Sequence, residues 1–310
     1  MDLHEPGRDI DGGRTDATHQ SRTPGDPPGE TGEDSTDTPQ RTPRTGRNLP
    51  VAFAVSLGLG AFPVLTLFTV KSTFLIFVGA AVVIAIWELS RALREREIAI
   101  SLIPIYTGGT AIWTCAYWLG YRAALAALVL TVIAVIAWRL RGPATGYLRD
   151  VTAGMFTLSY LPLAGAFVAL MLSAPGGAHR AFLFVVLTVC FDTGGYFAGI
   201  LFGKHLLAPA ISPKKTWEGL AGSLLTCLVA GGVLLPVLLS GHVWQGLILG
   251  VAVVAAAALG DLAESMIKRD LGIKDMGTLL PGHGGVLDRI DAMVMTAPVT
   301  WLLLVIFIPH

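Results

Sequence analysis

The chain has 310 residues, of which 53% are hydrophobic and 14% charged, and its mean hydropathy is +0.64. A soluble domain carries about 25% charged residues, so the composition argues against a soluble enzyme. With 22 basic and 22 acidic side chains it also lacks the basic excess of a nucleic-acid binder.

The zero net charge divides unevenly along the chain. Residues 1–48 hold 10 acidic and 6 basic side chains, with six Pro, seven Gly and eight Thr and no aromatic residue. Such a segment buries too little apolar surface to offset the entropy of ordering, and it is predicted to be a disordered tail. It has no apolar run behind a basic start, so it does not read as a signal peptide.

From residue 49 the chain becomes a series of apolar runs, with 12 acidic and 16 basic residues over its remainder. A spanning helix needs about 20 mostly apolar residues. Nine runs qualify: 50–70, 73–90, 98–119, 122–141, 151–173, 181–202, 219–240, 243–262 and 291–308. Gly58, Gly60 and Pro63 interrupt the first and Pro162 the fifth, as buried broken helices allow. The expected fold is all-α: a polytopic integral membrane protein of about nine transmembrane helices over 49–310, preceded by the tail. Cys115, Cys190 and Cys227 lie apart in apolar runs and read as small packing residues, not as a disulfide or metal framework.

With the tail placed in the cytoplasm, the cytoplasmic side receives nineteen Lys and Arg, the tail included. The other side receives only Lys71, Arg122 and Arg180. That bias sets the orientation. It puts the N-terminus on the cytoplasmic side, and the plasma membrane is the expected location.

Polar residues concentrate after residue 190. Before that, Glu88 beside Arg91 reads as a local ion pair at i, i+3. Asp192 lies mid-span in Phe191-Asp192-Thr193-Gly194-Gly195-Tyr196. A carboxylate there should face a partner, a metal or water, although a buried structural acid is the blander reading. Gly194, Gly195 and Gly199 allow close approach of a helix or ligand. The loop Gly203-Lys204-His205 leads to Ser212-Pro213-Lys214-Lys215-Thr216-Trp217-Glu218-Gly219. Ser212 before Pro213 has the form of an N-cap followed by Pro at N1, which would set Lys214 and Lys215 at a phosphate-binding helix start. A plain basic surface loop is equally compatible with that stretch alone.

The third cluster is the densest. Asp261, Glu264, Ser265 and Lys268 recur at i, i+3, i+4 and i+7 on one helix face, and Asp288 and Asp291 at i, i+3 on the next. A Gly-rich turn with His283, Gly284 and Gly285 lies between them, and its backbone could approach phosphates. Carboxylates from two helices around one wet pocket are hard ligands suited to Mg²⁺. Lys and Arg beside them can balance phosphate charge.

From Ser265 to Asp291 the chain resembles the phosphatidate cytidylyltransferase (CDP-diacylglycerol synthase) family. Ser265, Lys268, Arg269, Lys274, Asp275, His283, Gly284, Gly285, Asp288, Arg289 and Asp291 all match its signature. The Asp192 and Ser212–Gly219 stretches also look like family motifs, so the resemblance is strong over 190–291 and merely compatible over 49–189. It implies the reaction of CTP with phosphatidic acid in the bilayer to give CDP-diacylglycerol and diphosphate. It implies Asp261 and Asp288 as divalent-metal ligands, with Asp192, Glu264 and Asp291 as weaker candidates. Lys214, Lys215, Lys268, Arg269, Lys274 and Arg289 would hold phosphates. Ser265 and His283 would hydrogen-bond phosphate or metal-bound water, beside the backbone of Gly284 and Gly285. Mg²⁺ is the implied cofactor, a second, monovalent cation is a family expectation, and a homodimer is compatible with the resemblance.

Two other classes share some of these features. A CTP-dependent kinase of a lipid alcohol also uses metal carboxylates and lysines, but needs a base for the alcohol. A transporter would account for broken helices and Asp192. It would more often show repeated halves with midplane sites, whereas these polar residues crowd one end.

Overall fold

The apolar runs have one way to satisfy their backbone in lipid, which is to hydrogen-bond within the segment. The computed structural model describes residues 65–209, 211–277, 279 and 284–308, and there the runs are helices. They are α1 (Lys71–Glu95), α2 (Leu102–Trp118), α3 (Tyr121–Arg139), α4 (Tyr147–Tyr160), α5 (Pro162–Ser173) and α6 (Gly177–Phe202). After a short hairpin of β1 (Leu206–Ala208) and β2 (Ser212–Thr216) follow α7 (Trp217–Leu239), α8 (Val243–Asp270) and α9 (Leu287–Phe307). Among the described residues seven stretches are long and apolar enough to cross a membrane, with α4 and α5 counted together, and the chain is a multi-pass membrane protein. The expected count of about nine is approximate. Most of the run 50–70 and the whole tail lie outside the described residues, and α2 is short at 17 residues.

Two helix ends differ from expectation for physical reasons. The run 243–262 continues as helix to Asp270, because its polar last turns keep the same hydrogen-bond ladder after the apolar stretch ends. The run 151–173 divides at Leu161, with Pro162 opening α5 at N1. The Pro162 carbonyl, in the first turn of α5, accepts the Trp113 indole N–H at 2.6 Å.

The second half is held by close helix crossings. An added Cβ at Gly194 would lie 2.8 Å from the Gly222 carbonyl oxygen, so α6 and α7 meet backbone to backbone. At Gly260 a Cβ would lie 2.6 Å from the Asp291 carbonyl oxygen, which brings α9 directly against α8. The three cysteines are free, and Cys227 is buried with its thiol against the Leu187 carbonyl.

Long-range bonds gather one set of helix ends together. The Arg96 guanidinium, just after α1, donates to the Leu271 carbonyl after α8 at 3.0 and 2.6 Å. Asp150 on α4 accepts from Arg139 at the end of α3 at 3.0 Å and from the Ala99 amide at 3.2 Å. At the opposite end Arg180 is buried rather than solvated, and donates to the carbonyls of Leu304 and Ile308 at the end of α9. A cation at a helix C-terminus suits the dipole there.

Candidate active site

The gathered ends of α1, α6, α8, α9 and the hairpin carry the charged residues singled out in the sequence. The 212–216 stretch is not a helix start. It is strand β2, antiparallel to β1, with the pairs Leu206–Thr216 and Ala208–Ser212. The N-cap of α7 is Thr216, whose hydroxyl accepts the Gly219 amide at 3.1 Å. Ser212 cannot cap because the hairpin pairs its backbone first. The strand alternates its side chains, so adjacent lysines face opposite ways. Lys214 is exposed, whereas Lys215 is half-buried and ion-paired to Asp261 Oδ2.

On α8, Lys268 bridges two carboxylates, 2.9 Å from Glu264 Oε2 and 2.9 Å from Asp288 Oδ1. Asp288 Oδ2 accepts the amides of Met276 and Gly285, each at 2.9 Å. Asp291 adjoins both Asp261 and Glu264, since Gly260 lets α9 come close at that level. Three carboxylates thus stand together, with Lys215 and Lys268 as their bonded cations. Glu264 is 1% exposed, and its Oε1 has no hydrogen-bond partner. Asp192 on α6 is exposed, and its electrostatic neighbours include Asp261, Lys215 and Arg289.

Other expected residues lie further out. Arg269, Lys274 and Arg289 are exposed, and Arg269 reaches the Ile211 carbonyl at 3.4 Å. Ser265 is half-buried on the α8 face. Gly284 adopts φ +80°, which suits glycine. The Gly285 amide, expected to face phosphate, is instead bonded to Asp288. His283 lies outside the described residues.

Two residues here were not expected. Tyr160 on α4 is buried, its hydroxyl has no partner, and Glu264, Asp291 and Asp261 are its charged neighbours. Glu88 on α1 is 1% exposed and does not pair with Arg91. It accepts the amides of Val286 and Leu287 at 3.0 and 2.8 Å, while Arg91 lies over the Trp87 ring. An ionisable residue inside a span was signal enough to look for a distant partner. The nearby arginine at i+3 masked it.

The donor chemistry fits a hard divalent cation, because the clustered ligands are carboxylate oxygens and one is buried and unpaired. Among the described residues no three acidic, His or Cys side chains converge on one metal position.

Known proteins resemble this chain over most of its length. A chain from Mycobacterium leprae named phosphatidate cytidylyltransferase is 41% identical over 285 residues, covering 86% of this chain and 90% of its own length. The protein of the same name from Mycobacterium tuberculosis is 40% identical over 276 residues, covering 85% of this chain and 84% of its own. One from Haemophilus influenzae is 35% identical over 217 residues, covering 68% and 65%. The sequence model of the cytidylyltransferase family matches residues 51–307, so the carboxylate and lysine cluster lies within the matched region and this chain belongs to the cytidylyltransferase family.

Proposed function

We propose that this chain is a phosphatidate cytidylyltransferase, joining CTP to phosphatidic acid in the membrane with release of diphosphate. The observation that carries the reading is the paired array Lys215–Asp261 and Lys268–Glu264/Asp288 at one end of a membrane bundle in a cytidylyltransferase chain. The names of the relatives support the same substrate pair. The Lys and Arg bias supports a cytoplasmic site.

The reaction asks little covalent chemistry of the protein. An oxygen of the phosphatidate phosphate attacks the α-phosphorus of CTP. The new P–O bond forms as the bond to the β-phosphate bridge breaks, and diphosphate departs with that electron pair. The nucleophile is already an anion, so no side chain need remove a proton. What remains is alignment and neutralisation of charge.

Asp261 and Asp288 would hold Mg²⁺, with Glu264 and Asp291 beside them, and the ion would supply charge stabilisation on the phosphate oxygens. Lys215 and Lys268 neutralise these same carboxylates in this structure and would then face phosphates. Arg269, Lys274 and Arg289 would add positive potential at the cytoplasmic rim. An apolar groove runs between α7 and α8, lined by Trp217, Leu220, Leu224, Val251, Val254 and Ala258. It begins one residue after the Thr216 cap and one turn before Asp261, where it would take an acyl chain of a lipid whose headgroup reaches Lys215.

The test is incubation of the purified full chain with labelled CTP and Mg²⁺, with either phosphatidic acid or a lipid alcohol. A liponucleotide from phosphatidic acid is expected. A phosphorylated alcohol would identify a lipid kinase, and no turnover with either would favour a transporter.

A further inference from the structure

We propose that Glu88, on a helix about 200 residues away from the charged motif, is a positioning residue that sets the geometry of Asp288 and Lys268. The inference rests on the proposed activity and extends its site to α1. Glu88 is fully enclosed, and its two carboxylate oxygens take the amides of Val286 and Leu287, at the first turn of α9. A helix N-terminus is where a buried anion is best stabilised, by free N–H groups and by the helix dipole.

Gly277 and Gly285 pack directly against this carboxylate. A Cβ on Gly277 would lie 2.6 Å from the Glu88 carboxyl carbon, and one on Gly285 2.7 Å from its Oε2. A side chain at either position would displace the Glu88 carboxylate. The neighbouring amides of Met276 and Gly285 then turn to Asp288 Oδ2, and Asp288 Oδ1 holds Lys268. Two carboxylates thus divide four backbone amides between them. Glu88 anchors the loop and the α9 start. Asp288, held by that loop, presents its other oxygen to the cationic side of the site. The amides at 285–287 are therefore committed to carboxylates rather than open to phosphate. Phosphate contact falls to the lysines.

The test uses the full chain in mixed micelles. Glu88→Gln keeps the shape but sets an amide NH₂ against one of the two N–H donors. Its kcat is expected to fall at least about ten-fold, because small misplacements of catalytic groups cost up to about a hundred-fold. Gly277→Ala displaces the carboxylate without removing its charge, and should lower kcat in the same way. A double-mutant cycle separates positioning from mere scaffolding. If Glu88 acts through Asp288, adding Glu88→Gln to Asp288→Asn should cost less than about three-fold further. Full multiplication of the two losses, or native kcat in both Glu88→Gln and Gly277→Ala, would overturn the inference. Should Glu88→Gln fail to fold, Gly277→Ala and its combination with Asp288→Asn decide alone. The unaltered chain must turn over for any of these readings, so its inactivity would count against the proposed reaction and not against Glu88.

Discussion

Lys214 and Lys215 are neighbours in sequence with opposite surroundings. A strand sends successive side chains to opposite faces, and Lys215 alone reaches Asp261. Lys215→Gln is expected to lower kcat/KM for CTP roughly ten- to a hundred-fold, the loss of one charge-assisted phosphate contact. Lys214→Gln should cost less than about three-fold, since its side chain is exposed. Steady-state kinetics in mixed micelles read both. Arg94 and Arg141 serve as exposed controls expected to behave like Lys214. Arg96 does not, because its guanidinium ties the α1 end to Leu271. Asp261→Asn and Asp288→Asn should each lower turnover at least about a hundred-fold with the fold retained, as even groups one layer from a metal cost roughly 10–100-fold. Native turnover with an unchanged Mg²⁺ response in either variant would remove that residue from the site.

At the scale of elements, the crossing of α8 and α9 decides which carboxylates meet. Gly260 permits it, with the Asp291 carbonyl in the space a side chain would fill. Gly260→Leu should force the helices apart and destabilise the protein by about 1–3 kcal/mol, the usual cost of overpacking. A lowered thermal midpoint in detergent, together with reduced turnover, checks this. An unchanged midpoint would mean that the crossing can relax without loss. The hairpin is the second such element. Pro213 lacks an amide donor and is tolerated in a two-stranded ribbon, where one edge of each strand needs no partner.

For the whole molecule, the region matched by the family model begins at residue 51, and the charged cluster is built from residues 88 to 291. The tail's composition offers nothing to pack or to catalyse with. Deleting residues 1–48 should leave turnover per folded molecule within about three-fold of the full chain. Turnover assays on the truncated protein, normalised to folded material, measure this. A well-folded but inactive truncation would make the tail part of the site.

The helical bundle was legible in the sequence because length and hydropathy are local properties. A run of apolar residues in lipid must close its own hydrogen bonds, and the division at Pro162 follows from the ring of that one residue. The clustering of carboxylates and cations was legible for a related reason, since helical spacing alone puts Asp261, Glu264 and Lys268 on one face. Their partners were not. Ser212 has the local chemistry of a cap, yet pairing with Ala208 makes its segment a strand and passes the cap to Thr216. Glu88 has a cation at i+3, yet amides 198 and 199 residues away take its oxygens. In both cases a local preference worth about 1 kcal/mol or less gives way to contacts that exist only once distant segments are packed. Burying Glu88 also leaves its carboxylate no water, so those amides must satisfy it.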